Sequence, residues 1–163
     1  MGLIVALTAA LIWRVSGKLE EPVTKVGDSA PEFSVVSDSG KTLTQKDFGG
    51  KLLVLNFWAA WCGPCVQEVP SLEAFQKEYG PKGVVVLGVS VDTNPNLYQR
   101  FKDQYGVSFH TSRDPGWDIA ARYGTFQLPE TYLIDSSGKV VQKLIAAQNW
   151  MDPTFLASVQ KLL

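Results

Sequence analysis

Leu52-Leu53-Val54-Leu55-Asn56-Phe57-Trp58-Ala59-Ala60-Trp61-Cys62-Gly63-Pro64-Cys65 runs an almost unbroken apolar stretch straight into two cysteines. From Leu52 to Trp58 there is no alternation of polar and apolar residues, which is the pattern of a strand buried on both faces in a central sheet. From Pro64 onward the period changes. Val66, Val69, Leu72, Phe75 and Tyr79 recur at three- and four-residue steps, and Gln67, Glu73, Gln76, Lys77 and Glu78 are assigned to the other, solvated face of a helix. Pro64 costs no hydrogen bond at the opening position, whereas Pro70 removes the bond to the Val66 carbonyl and is expected to kink the helix. Cys62 is therefore expected in the first turn, where unpaired amides and the positive end of the helix dipole favour a thiolate. Thiols at such positions have pKa values of about 3.5 to 7.5 against about 8.5 for a free cysteine, so Cys62 is the expected nucleophile.

These are the only two cysteines in 163 residues. A structural bridge stabilises by closing a long loop in the unfolded chain, and two intervening residues close almost nothing. A zinc site wants four Cys or His ligands, and the chain has one histidine, His110, distant in sequence. The C-x-x-C pair after a buried strand is thus read as redox-active. Lys plus Arg is 15 and Asp plus Glu is 16, for a formal charge of −1 with no basic run, so nucleic-acid binding has no electrostatic footing. Hydrophobic residues make up 45% of the chain, enough for one core without structural disulfides. No nicotinamide or flavin motif is visible, and the expected redox carrier is the Cys62/Cys65 dithiol alone, with no metal or other cofactor.

Outward from this segment the pattern is one α/β domain without repeats. Phe33 to Val36 and Lys41 to Leu43 flank Ser37-Asp38-Ser39-Gly40 as a small hairpin. Val84 to Val91 reads as a second buried strand, and Leu97, Phe101 and Tyr105 as the apolar stripe of a following helix. A short helix over 117–123 ends at Gly124, which suits a left-handed cap. Thr131 to Ile134 and Val140 to Ile145 form a hairpin through Ser136-Ser137-Gly138. Asp152-Pro153 opens a last helix whose core face is Phe155, Leu156, Val159 and Leu163. Trp58, Trp117 and Trp150 are read as packing residues.

Trp61-Cys62-Gly63-Pro64-Cys65 is the thioredoxin signature. Taken with Val26-Gly27-Asp28-Ser29-Ala30-Pro31-Glu32-Phe33, Asn56-Phe57-Trp58-Ala59, Cys65-Val66-Gln67-Glu68-Val69-Pro70 and Leu128-Pro129-Glu130-Thr131-Tyr132-Leu133-Ile134-Asp135, it resembles the membrane-tethered TlpA/ResA/CcmG (DsbE) family over about residues 26–163. The resemblance implies a thioredoxin fold: a central mixed sheet flanked by helices, with an N-terminal hairpin and a central strand-helix insertion. It also implies an extracytoplasmic dithiol that reduces disulfides in protein substrates, apocytochrome c among them. Recharging would come from a membrane thiol electron donor of the DsbD/CcdA type, and the protein is expected to be a monomer.

The same resemblance assigns further residues. Thioredoxins place a buried aspartate six residues before the first cysteine; here that position is Asn56, an amide that cannot take a proton. Glu68, three residues after Cys65 on the same helical face, becomes the expected proton acceptor for Cys65, against the plainer reading of a solvated acid in a first helical turn. Pro129 falls where the fold places a cis-proline against the two sulfurs, which would free the Leu128 backbone to pair with an extended client. Glu130 either adds an acid near that cleft or faces solvent. Trp61, Gly63 and Pro64 complete the expected client-binding surface, with simple packing the alternative for Trp61.

Residues 1–15 are an apolar segment, 16–25 a polar tether and 26–163 the domain. As a helix, Leu3 to Trp13 would rise about 17 Å, short of the hydrocarbon core of about 30 Å, and Arg14 and Lys18 lie on the wrong side for an exported C-terminus. The expectation is nevertheless a signal anchor whose natural start lies upstream of Met1, attaching the protein to the membrane with its domain on the periplasmic side. Two other classes are weighed. The Gly27-Asp28-Ser29-Ala30-Pro31 opening is shared loosely with peroxiredoxins, whose Pro-x-x-x-Thr-x-x-Cys pocket is absent, and a non-enzymatic copper module would use Cys62, Cys65 and His110.

Overall fold

The computed structural model describes residues 23–163; the apolar segment read over 1–15 and most of the tether lie outside it. Thr24, at the tether's end, is buried, and its amide donates to the Tyr123 carbonyl at 3.2 Å. A hairpin of β1 (Ser34–Val36) and β2 (Thr42–Thr44) precedes the central strand β3 (Leu52–Trp58). Then follow α1 (Gly63–Tyr79), β4 (Val84–Ser90), α2 (Pro95–Tyr105), β5 (His110–Arg113), α3 (Asp118–Tyr123), β6 (Glu130–Ile134), β7 (Val140–Ile145) and α4 (Pro153–Gln160). Five strands form one mixed sheet in the order β5-β4-β3-β6-β7. β3 runs parallel to β4 and antiparallel to β6, so the C-terminal end of β3 lies beside the start of β6, with Phe57 opposite Glu130. Among the described residues no helix is long and apolar enough to cross a membrane.

Every residue of β3 and of β4 is buried, because both strands are covered on both faces. Leu52 and Val54 pack with Leu72, Phe75 and Tyr79 of α1 and Val159 of α4. Leu53, Leu55 and Phe57 point the other way, toward α3 and the hairpin. Full burial of each such side chain contributes about 1.5–3 kcal/mol, which fixes the end of β3 and hence the start of α1. Gly88 gives Trp58 its place: a Cβ there would lie 2.9 Å from the Trp58 indole nitrogen and 2.9 Å from the Phe109 ring.

Several expectations about faces are corrected. Glu73, assigned to the solvated side of α1, is buried; it accepts from the Ser108 amide at 2.9 Å, bonds the Ser108 hydroxyl and pairs with Lys77 at 3.2 Å. Gln76 is half-buried and accepts from the Val86 amide at 2.7 Å. The connections around β4 and β5 cover a flank of α1 that a single amphipathic stripe cannot anticipate. On α2 the inward residue is Tyr98 rather than the exposed Leu97, because the Tyr98 ring stacks on Trp58 and its hydroxyl reaches Asp38. Leu163 lies beyond α4 and is exposed.

Candidate active site

Cys62 is the N-cap of α1, and the Cys65 amide donates to its sulfur at 3.2 Å. That orphan amide and the helix dipole both stabilise negative charge on Sγ. The two cysteines are joined as a disulfide with Cα atoms 5.2 Å apart. Cys65 is wholly enclosed, whereas Cys62 sits just inside the surface and is flanked by exposed Trp61, Gly63 and Pro64. Of the two sulfurs, that of Cys62 is the one placed toward the surface. Sequence reasoning missed Asp92, a buried carboxylate just after β4. Its Oδ2 accepts from the Ala60 amide at 2.8 Å and from Ser90 Oγ at 2.7 Å, holding the loop that delivers Trp61 and Cys62. An aspartate after a strand reads in sequence only as punctuation.

Glu68 is 2% exposed, which replaces the reading of a solvated acid. Its Oε1 accepts from Asn56 Nδ2 at 2.8 Å, and its Oε2 from the Gln148 amide at 3.1 Å and Trp150 Nε1 at 3.3 Å. Asn56 also donates to Thr131 Oγ1 at 2.9 Å, so β3, α1 and the loop after β7 meet at one carboxylate and β6 joins them through Asn56. Burial pushes Glu68 above the ordinary carboxylate range; the donors from Gln148, Asn56 and Trp150 pull it partway back. Trp150, read as packing alone, is thus part of this cluster.

The Leu128–Pro129 peptide is cis, as the sequence reading expected. The Pro129 carbonyl accepts from the Ala146 amide at 3.1 Å, and among the described residues the Leu128 amide and carbonyl make no backbone hydrogen bond. Leu128 is half-buried against the core that contains both cysteines. Glu130 does not face solvent, which removes one of its two expected places. It is 1% exposed on the opposite face of β6 from Thr131, pairs with Lys143 Nζ at 2.7 Å and bonds the Tyr132 hydroxyl. A carboxylate so enclosed offers no surface to a client.

Trp61 and Phe126 are 65% and 71% exposed, and Phe126 stands on the loop that enters β6, a position the sequence reading did not single out. Residues 57–67, 124–129 and 145–151, which converge on this end of the sheet, contain no Asp, Glu, Lys, Arg or His. His110 lies exposed in β5, its ring 6.3 Å from that of Phe48; among the described residues no three His, Cys, Asp or Glu side chains gather as a metal site.

A Cys-x-x-Cys pair at a helix start, with a cis-proline leading into the strand beside β3 in a mixed five-stranded sheet, defines a thioredoxin-fold protein built for thiol-disulfide exchange. A sequence model of the AhpC/TSA family matches residues 26–143. The thiol-disulfide oxidoreductase ResA of Bacillus anthracis is 38% identical over 124 residues, covering 76% of this chain and 72% of that protein. ResA of Oceanobacillus iheyensis is 31% identical over 144 residues, 85% of this chain and 75% of that protein. Among solved structures, one assigned to the thiol:disulfide interchange protein DsbE of Chlorobium tepidum aligns with a TM-score of 0.79 at 29% identity, over 85% of this chain and 98% of that one. A thiol-disulfide oxidoreductase from Bacteroides fragilis aligns with a TM-score of 0.72 at 27% identity, over 83% and 100%. The chain belongs to the AhpC/TSA family, and within it is a thiol-disulfide oxidoreductase of the ResA and DsbE type.

Proposed function

We propose that the protein reduces disulfides in protein clients on the extracytoplasmic side of a membrane to which its N-terminus tethers it. Apocytochrome c, with its haem-attachment thiols, is the client class that the family resemblance favours. The observation that carries the reductase reading is the division of burial: a near-surface Cys62 capped by an amide, an enclosed Cys65, and the enclosed Glu68 one helical turn further on.

The Cys62 thiolate attacks one sulfur of the client disulfide. A Cys62–client bond forms, the client S–S bond breaks, and the departing client sulfur takes up a proton. Cys65 then gives its proton to the Glu68 carboxylate and attacks Cys62 Sγ. The Cys62–Cys65 bond forms, the mixed disulfide breaks, and the second client sulfur leaves reduced. The electron pair passes from dithiol to client, and a membrane thiol carrier of the DsbD/CcdA type restores it; neither metal nor organic cofactor takes part. The free Leu128 backbone pairs with an extended client segment, while Trp61, Gly63, Pro64 and Pro129 form the surface it lies on.

Cys65→Ser is the direct test. In cells the variant should accumulate mixed disulfides on Cys62 whose partners are extracytoplasmic proteins, and the dithiothreitol-charged wild type, after desalting, should reduce insulin. Failure of the charged protein to reduce any bridged protein overturns the reading.

A further inference from the structure

We propose that Trp150 is a positioning residue for the thiol exchange: its indole N–H, acting with the Gln148 amide and the Asn56 carboxamide, fixes the Glu68 carboxylate in one orientation and leaves Oε1 as the atom that receives the Cys65 proton. The inference rests on the assignment of Glu68 as proton acceptor and adds the partner that sets its geometry.

An ionised carboxylate has about four acceptor sites, two on each oxygen. Oε2 is given two donors, the Gln148 amide at 3.1 Å and Trp150 Nε1 at 3.3 Å, whereas Oε1 is given one, Asn56 Nδ2 at 2.8 Å. The open site is on Oε1. All of this lies out of water, since Trp150 is 0% exposed, Cys65 0% and Glu68 2%. A rotation of the carboxylate about its last bond would break bonds that no solvent replaces, so the orientation is held.

The indole is itself held. Its ring centroid is 5.7 Å from that of Phe75 on α1 and 5.2 Å from that of Phe155 on α4, and the Trp150 amide donates to Ser71 Oγ at 3.2 Å. The groups around Glu68 from β3, β6 and the closing loop, Asn56, Thr131, Gln148 and Trp150, are all uncharged, and no ionised side chain contributes to its shift. On its own helix Cys65 lies three residues before Glu68, on the same face, and titrates once the disulfide is reduced. Burial, opposed by these neutral donors, therefore sets the balance between carboxylate and acid, and Trp150→Phe removes one of the donors while keeping an aromatic ring.

The test uses the full chain, isotope-labelled and oxidised so that neither thiol titrates. In NMR spectra across pH the Trp150 indole N–H resonance should move with the same midpoint as the Glu68 carboxyl carbon, and in Glu68→Gln it should stay fixed. Trp150→Phe keeps an aromatic ring and removes the donor. It should raise the Glu68 midpoint by about one pH unit and displace the pH profile of mixed-disulfide resolution to the alkaline side by the same amount. An indole resonance that stays flat while the carboxyl carbon titrates overturns the proposal, as does an unmoved midpoint in a folded Trp150→Phe. The first two measurements need no Trp150 variant to fold. Shared titration together with wild-type resolution rates in Glu68→Gln would support the positioning role and instead remove the proton-acceptor role of Glu68.

Discussion

Glu68 and Glu130 are both buried carboxylates, 2% and 1% exposed, placed on opposite faces of one sheet, and the protein treats them in opposite ways. Glu130 is given a cation: Lys143 Nζ lies 2.7 Å away and is itself largely enclosed, reaching the Thr24 carbonyl at 3.4 Å. Glu68 is given only dipoles, two amides and an indole. An ion pair holds a charge in place, because protonating the acid would leave a buried cation alone. Neutral donors hold the carboxylate's position while leaving it able to take a proton, since the acid form strands no opposite charge. The acid one helical turn after Cys65 is held by neutral donors, and the acid after the cis-proline is held by a cation.

Removing the cation tests this contrast most severely. Lys143→Met should destabilise the protein by about 3–5 kcal/mol in denaturant titrations, and adding Glu130→Gln should recover most of it. A loss below about 1 kcal/mol would show that Glu130 does not depend on its partner. On the other face, Glu68→Gln should slow resolution of a preformed Cys62 mixed disulfide by about a hundredfold and flatten its pH dependence, measured by stopped-flow release of a labelled peptide.

A smaller effect follows from the direction of the Glu68 shift. Its folded pKa lies above the unfolded value, so between the two the native state binds the extra proton. The oxidised wild type should therefore lose stability relative to Glu68→Gln as pH rises from the ordinary carboxylate range through the raised value, by up to about 1.4 kcal/mol per pH unit in that window. Thermal unfolding of the pair at several pH values reads this directly; a constant difference would mean that Glu68 is not shifted. The smallest expected effect is at a site touching neither acid. Phe126→Ala should leave stability unchanged and reduce the rate of mixed-disulfide formation about fivefold, as expected for about 1 kcal/mol of apolar client contact on a rim without charges.

Strand β3 and the start of α1 were legible because a fully buried strand and a Pro-marked helix start are local patterns, and Gly124 caps α3 in the left-handed conformation as read. The cis-proline was reached through resemblance, since an X-Pro pair is cis in only about 5–6% of cases. Faces were read less well where cover comes from distant chain. Glu73 is a charged residue that pattern assigns to solvent, and it is buried because Ser108, 35 residues on, is brought to it; the partner of Glu130 is Lys143 on the adjoining hairpin strand, a pairing of side chains that the hairpin pattern alone does not specify. Trp150 could be recognised as apolar and large, but not as a donor to a carboxylate 82 residues away.

The amino-acid sequence alone determined the reactive chemistry: two cysteines in one helical turn, with a proline at its opening, are a dithiol wherever they are placed, because their spacing is covalent. Which buried acid meets a cation and which meets only neutral donors was decided in three dimensions. Glu68 and Glu130 are the same side chain, and what separates them is whether folding sets an ammonium or an indole against the carboxylate, a matter of contacts between segments that the order of residues does not specify one by one.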